Sequence, residues 1–114
     1  MLGVVVGLAM CGAAFAHAML DRSTPPVGGS VKTAPARVEL WFTEPLEAAF
    51  SRLQVVDAHG RRVDGGDARV DQADGRHFSI SVGSLPPGRY RVVWRVVSVD
   101  THATEGDFTF DVAP

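Results

Sequence analysis

From residue 37 the chain alternates apolar and polar positions with a period of two. Val38, Leu40 and Phe42 are interleaved with Arg37, Glu39, Trp41 and Thr43, so an extended segment sends the first set to one face and the second to the other. The same alternation returns in Phe78-Ile80-Val82, in Tyr90-Val92-Trp94-Val96 and in Phe108-Phe110-Val112, and Leu53 to Val56 with Val63 forms a shorter pair around the turn Asp57-Ala58-His59-Gly60. Pro25-Pro26, Gly28-Gly29, Gly65-Gly66 and Pro86-Pro87-Gly88 break the chain into segments of strand length. No window keeps an apolar period of 3.6 residues, apart from one helical turn at Glu44 to Phe50. The pattern predicts an all-β domain, a Greek-key antiparallel β-sandwich or barrel of about seven strands, cored by Val38, Leu40, Phe42, Ile80, Trp94 and Phe110.

The first sixteen residues, MLGVVVGLAMCGAAFA, follow no such pattern. They are uncharged and end in Ala14-Phe15-Ala16, the small-x-small sequence that signal peptidase accepts, and read as a secretory signal peptide. The run is shorter than the about 20 apolar residues of a membrane span, and nothing later is apolar for longer, so the mature chain is expected not to span a membrane. Cleavage after Ala16 leaves a single domain, residues 17–114, of 98 residues (114 less 16). It also makes His17 the first residue, with a free α-amine beside its imidazole. The one cysteine, Cys11, falls inside the signal, so the mature chain has neither thiol nor disulfide in an oxidising compartment. A lipidated Cys11 is the rival reading, disfavoured by the bulky Met10 before it. The formal charge of −2 and the lack of a basic patch argue against nucleic acid as a partner.

Asp100 and His102 stand two residues apart, on one side of an extended chain and roughly 7 Å apart at Cα. On its own such a triplet is a turn with a surface hydrogen bond. An N-terminal His17 changes its weight, because amine and ring nitrogen on one residue chelate a metal without further chain closure. Two nitrogens from His17, one from His102 and an oxygen from Asp100 make an N3O set, which selects Cu(II) by geometry and by the Irving–Williams order, with tetrahedral zinc the alternative. Blue copper needs a thiolate that the mature chain lacks, and Met19 is the only thioether left for Cu(I). His59 reads as a solvated turn residue, and His77 as the start of a strand. Trp41 and Trp94 read as packing residues, with Trp94 near enough in sequence to Asp100 to shield it. Ser98, Asp100 and His102 are too close along the chain for the relay of a hydrolase triad.

The stretches "STPPVGGSVKTAPARVELWFTEPL", "LPPGRYRVVWRVVSVDTHATEG" and "FTFDV", with His17 at the expected cut, resemble the CopC copper-resistance proteins, which are grouped with YobA-like proteins. The resemblance covers essentially all of the mature chain. It implies a cupredoxin-like, Ig-like β-fold and a periplasmic Cu(II) carrier in copper resistance, homeostasis or transport, working beside a CopD-like inner-membrane importer as a monomer and without enzymatic activity. His17, Asp100 and His102 match the family's Cu(II) ligands, and Glu44 in "WFTEPL" matches an acidic residue near that site; Glu44 also suits a turn cap before Pro45. The methionine-rich Cu(I) loop of some members is replaced by "VVDAHGRRVDGG", which implies a member specific for Cu(II). Two other functions remain open at this level. One is a copper monooxygenase with an N-terminal histidine brace; the other is an Ig-like interaction module in which His17 is incidental to cleavage.

Overall fold

The computed structural model describes residues 17–114, and the expected signal segment 1–16 with its cut after Ala16 lies outside the described residues. Within them run β1 (Leu20–Thr24), β2 (Ser30–Val31), β3 (Arg37–Phe42), β4 (Arg52–Val56), β5 (Arg69–Val70), β6 (His77–Ser81), β7 (Gly88–Val97) and β8 (Ala103–Val112). They form two four-stranded sheets, ordered β1-β3-β6-β5 and β2-β8-β7-β4. Most connections pass from one sheet to the other, so neither sheet closes until both are built.

The core lies between the two inner faces. Strand β3 buries Val38, Leu40 and Phe42 on alternate positions, as its sequence dictates, and β6 meets it with Phe78 and Ile80. From the other sheet come Leu53, Val55, Tyr90, Val92, Val96, Phe108 and Phe110. Trp94, expected among the core residues, is half-buried instead: it lies edge-on to Phe42 at 5.9 Å and covers Gly106, where an added Cβ would meet the ring at 2.5 Å. Gly106 is thus what lets the indole lie flat against β8.

Three differences from the sequence pattern have physical causes. Strands β1, β2 and β5 carry no alternation because they are edge strands with little to bury; β1 shows no buried position, and the double proline that follows ends it. They bring the count among the described residues to eight, against about seven expected. The pairing of β2 with β8 is parallel, in an otherwise antiparallel arrangement. The helical turn expected over 44–50 contracts to a 3₁₀ turn, Ala48–Phe50. No helix among the described residues is long and apolar enough to cross a membrane.

The long β7–β8 hairpin positions the candidate site. It is paired from Gly88↔Val112 to Val97↔Ala103, which leaves Ser98 to His102 as its tip. Beside the tip run the start of the described chain and the β3–β4 connection, tied by Val99 N–H to the Pro45 carbonyl at 3.1 Å and Glu47 N–H to the Val97 carbonyl at 2.8 Å.

Candidate metal centre

The tip is closed by its own backbone. Ser98 N–H donates to the His102 carbonyl at 2.9 Å, and Thr101 N–H to the Ser98 carbonyl at 2.8 Å. Thr101 adopts φ +73°, the left-handed step that completes a three-residue hairpin loop. A β-branched residue accepts that conformation at a cost of about 1–2 kcal/mol, so the surrounding hydrogen bonds must hold it.

Those bonds centre on Asp100. Its Oδ1 accepts from the Ser98 hydroxyl and from His102 N–H at 3.2 Å, and lies 3.1 Å from His102 Nδ1. With the proton on Nδ1 the imidazole donates to the carboxylate and keeps its lone pair on Nε2, the arrangement in which an outer carboxylate orients a metal-binding histidine. The Ser98 hydroxyl, against a smaller upward push from burial, and then His102 hold the Asp100 carboxyl below its ordinary value. Asp100 is therefore an anion at neutral pH.

His17 is brought to this tip by two threonines. The Thr104 hydroxyl donates to the Ala18 carbonyl at 2.7 Å across 86 residues, and Ala18 itself is buried. The Thr43 hydroxyl donates to the His17 carbonyl at 3.3 Å and accepts from Met19 N–H at 3.0 Å, while Thr43 N–H donates to the Met19 carbonyl at 2.9 Å. The result is a stack of the His17 and His102 rings, with centroids 4.9 Å apart and planes 22° apart.

The structure thus brings His17, Asp100 and His102 to one end of the sandwich, in an open arrangement. Ring lone pairs lie in the ring plane, so two stacked imidazoles do not aim them at a common point. Accordingly, no three His, Cys, Asp or Glu side chains among the described residues converge on one position. The donor types suit a nitrogen-rich site without sulfur.

Glu44 is half-buried at the same end, next to Pro45, and its side chain has no hydrogen bond or ion pair among the described residues. His59 is exposed in the Asp57–Gly60 turn, where Asp57 accepts from the N–H groups of His59 and Arg61. His77 opens β6 and bonds Glu39 at 2.9 Å; its ring stacks on Trp41 at 4.5 Å, and the Arg22 guanidinium lies 3.8 Å from the Trp41 ring centre. This polar stack across β1, β3 and β6 explains His77 and Trp41 without a metal. Sequence reasoning weighed Ser98 only as a member of a hydrolase triad and gave Thr43 and Thr104 no part in the site. Ser98 carried a signal, its position two residues before Asp100, whereas the two threonines act over spans that no local pattern reveals.

A two-sheet β-sandwich with paired Asp and His at the tip of its longest hairpin, and an N-proximal histidine strapped beside them, defines the class: a small all-β domain that gathers nitrogen and oxygen donors at one end. The model of the CopC domain matches residues 20–113, and the chain belongs to the CopC family. Copper resistance protein C of Pseudomonas syringae pv. tomato is 37% identical over 112 residues, 93% of this chain and 88% of that one. Protein YobA of Escherichia coli K12 is 34% identical over 86% of this chain and 80% of its own. Copper transport protein CutJ of Bacillus subtilis is 33% identical over 86% of this chain, which spans only 18% of that longer protein. Among solved structures, CopC from Methylosinus trichosporium OB3b superposes with a TM-score of 0.81 at 31% identity, over 86% of this chain and 95% of its own. PcoC of Escherichia coli, described as a methionine-rich copper resistance protein, superposes with a TM-score of 0.72 at 35% identity, over 85% and 99%.

Proposed function

We propose that this chain is a periplasmic Cu(II)-binding carrier acting in copper resistance or transport, with copper as its cargo. Copper itself is supported by the relatives, which are named for copper resistance and copper transport. The observation that carries the reading is the placement of the His17 ring against His102, whose Nδ1 is committed to Asp100. Cleavage after Ala16 makes the His17 amine and ring a chelate, to which His102 adds a ring nitrogen and Asp100 a carboxylate oxygen. Glu44 stands near enough in the chain to this end to add negative charge around a bound cation.

The oxidation state follows from the donors. Nitrogen and oxygen favour Cu(II), and the segment Val55 to Gly66 contains no methionine: it is a polar turn in which Arg61 pairs with Asp57 at 3.3 Å and Arg62 with Asp64 at 2.7 Å. Residues 1–16 supply the route to the periplasm, and the match to part of a copper transport protein, CutJ, is consistent with a carrier that passes copper to a transporter, here a CopD-like inner-membrane importer. A copper oxygenase keeps equatorial positions open for oxygen, and an Asp100 ligand would occupy one, which favours a carrier.

The test is Cu(II) titration, against a competing chelator, of protein that begins at His17. One ion per chain, with a tetragonal spectrum and no intense thiolate band, is expected. Absence of binding, or binding unchanged in both His17→Ala and His102→Ala, would overturn the reading.

A further inference from the structure

We propose that Ser98 is a positioning residue of the copper centre, whose hydroxyl fixes the Asp100 carboxylate and through it the His102 ring. The inference rests on the Cu(II) reading above.

Ser98 is 1% exposed, under the hairpin tip, and its neighbour across an isolated bridge is the buried Leu46. Asp100 and His102, by contrast, have side chains 41% and 40% exposed. Two half-exposed side chains on a turn rotate freely in water unless something rooted in the core holds them. Among the described residues the buried Ser98 hydroxyl is a root of this kind, beside the His102 N–H that also reaches Oδ1. The hydroxyl has one proton and two acceptors in reach, Asp100 Oδ1 and the His102 carbonyl at 3.3 Å. The carbonyl already accepts Ser98 N–H at 2.9 Å, so the hairpin closes without the hydroxyl. The carboxylate is the shorter contact and has the greater need of a donor, since charge-assisted hydrogen bonds are the stronger class.

The consequences run outward in order. The serine proton holds Oδ1, and the held Oδ1 takes His102 Nδ1 and so sets the ring plane and presents Nε2. Groups that orient metal ligands in this way typically change affinity by about 10–100-fold when removed. Because the hydroxyl accepts no hydrogen bond from the backbone, deleting it orphans no buried donor, and the fold should persist.

The experiment is a double-mutant cycle on Cu(II) affinity, with Ser98→Ala, Asp100→Ala and the double variant, all beginning at His17 and all measured at one pH by competition. Electron paramagnetic resonance of each Cu(II) complex and the thermal midpoint of each copper-free protein are recorded alongside. Ser98→Ala is expected to fold with a modestly lowered copper-free midpoint, weaken Cu(II) binding about tenfold and alter the copper hyperfine splitting. In the Asp100→Ala background it should change affinity no further. Wild-type affinity and spectrum in Ser98→Ala would overturn the inference, as would the same loss with and without Asp100, or failure of Ser98→Ala to fold. Failure of the wild-type protein to bind Cu(II) would instead overturn the carrier reading on which this one stands.

Discussion

At the scale of single residues, the donors divide by how they are held. His102 is fixed twice, by its N–H and by its Nδ1, to one oxygen of Asp100, whereas His17 is held through its backbone carbonyl and by the stack of its ring on His102. Cu(II) prefers imidazole nitrogen to carboxylate oxygen, so His102→Ala should cost more affinity than Asp100→Ala. Each should exceed about 1.4 kcal/mol, the tenfold step. Competition titration of the two variants at fixed pH checks the order; a larger loss in Asp100→Ala would mean that the carboxylate dominates. These residues were legible because histidine and aspartate are scarce and their spacing is local. Ser98 and the threonines that strap His17 were not, since hydroxyl residues are common and Thr104 reaches Ala18 from the far end of the chain.

Strands and turns were legible in proportion to what they bury. Strands β3, β6, β7 and β8 each drive several side chains into one core, and a period of two follows; β1 has no fully buried residue and is ordered by its ladder with β3, the partial packing of Leu20 and the contact of Arg22 with Trp41. The short pair around the turn after β4 is held by Asp57 within the turn and by a buried carboxylate beyond it. Asp64, with a side chain 1% exposed, accepts from Val55 N–H at 2.8 Å, Gly66 N–H at 2.9 Å and Arg62 at 2.7 Å. Burial pushes its carboxyl up, but the bonds from Arg62, Val55 and Gly66 together outweigh this and leave it below its ordinary value of 3.8. A depressed value in the folded state means that the ionised form stabilises the fold. That contribution is fully present above the unfolded value and is lost as pH falls through the folded one. Asp64→Ala should therefore destabilise the domain by about 1–3 kcal/mol at pH 7, through the donors it strands. The difference from wild type should shrink in acid below the unfolded value. Urea denaturation of both proteins at the two conditions measures this, and a gap that widens in acid would contradict it.

For the whole molecule, the fold's contribution is to bring the first described residue against a turn more than eighty positions away. The sandwich class was legible from periodicity, but the meeting of the two ends was not: it depends on β1 pairing with β3 in one sheet while Thr104 belongs to the other. The central claim is that the α-amine exposed by cleavage at Ala16 completes the copper centre. It predicts that affinity rises with pH as the amine gives up its proton. The most direct measurement is Cu(II) affinity, by competition at fixed pH, of a protein with a single glycine placed before His17. That change keeps every side chain and the strap through Thr43 and Thr104, and moves the amine to another residue. A loss of more than tenfold with an unchanged thermal midpoint is the predicted result. Affinity equal to that of the protein beginning at His17 would show that the amine is not a ligand, and would contradict the account.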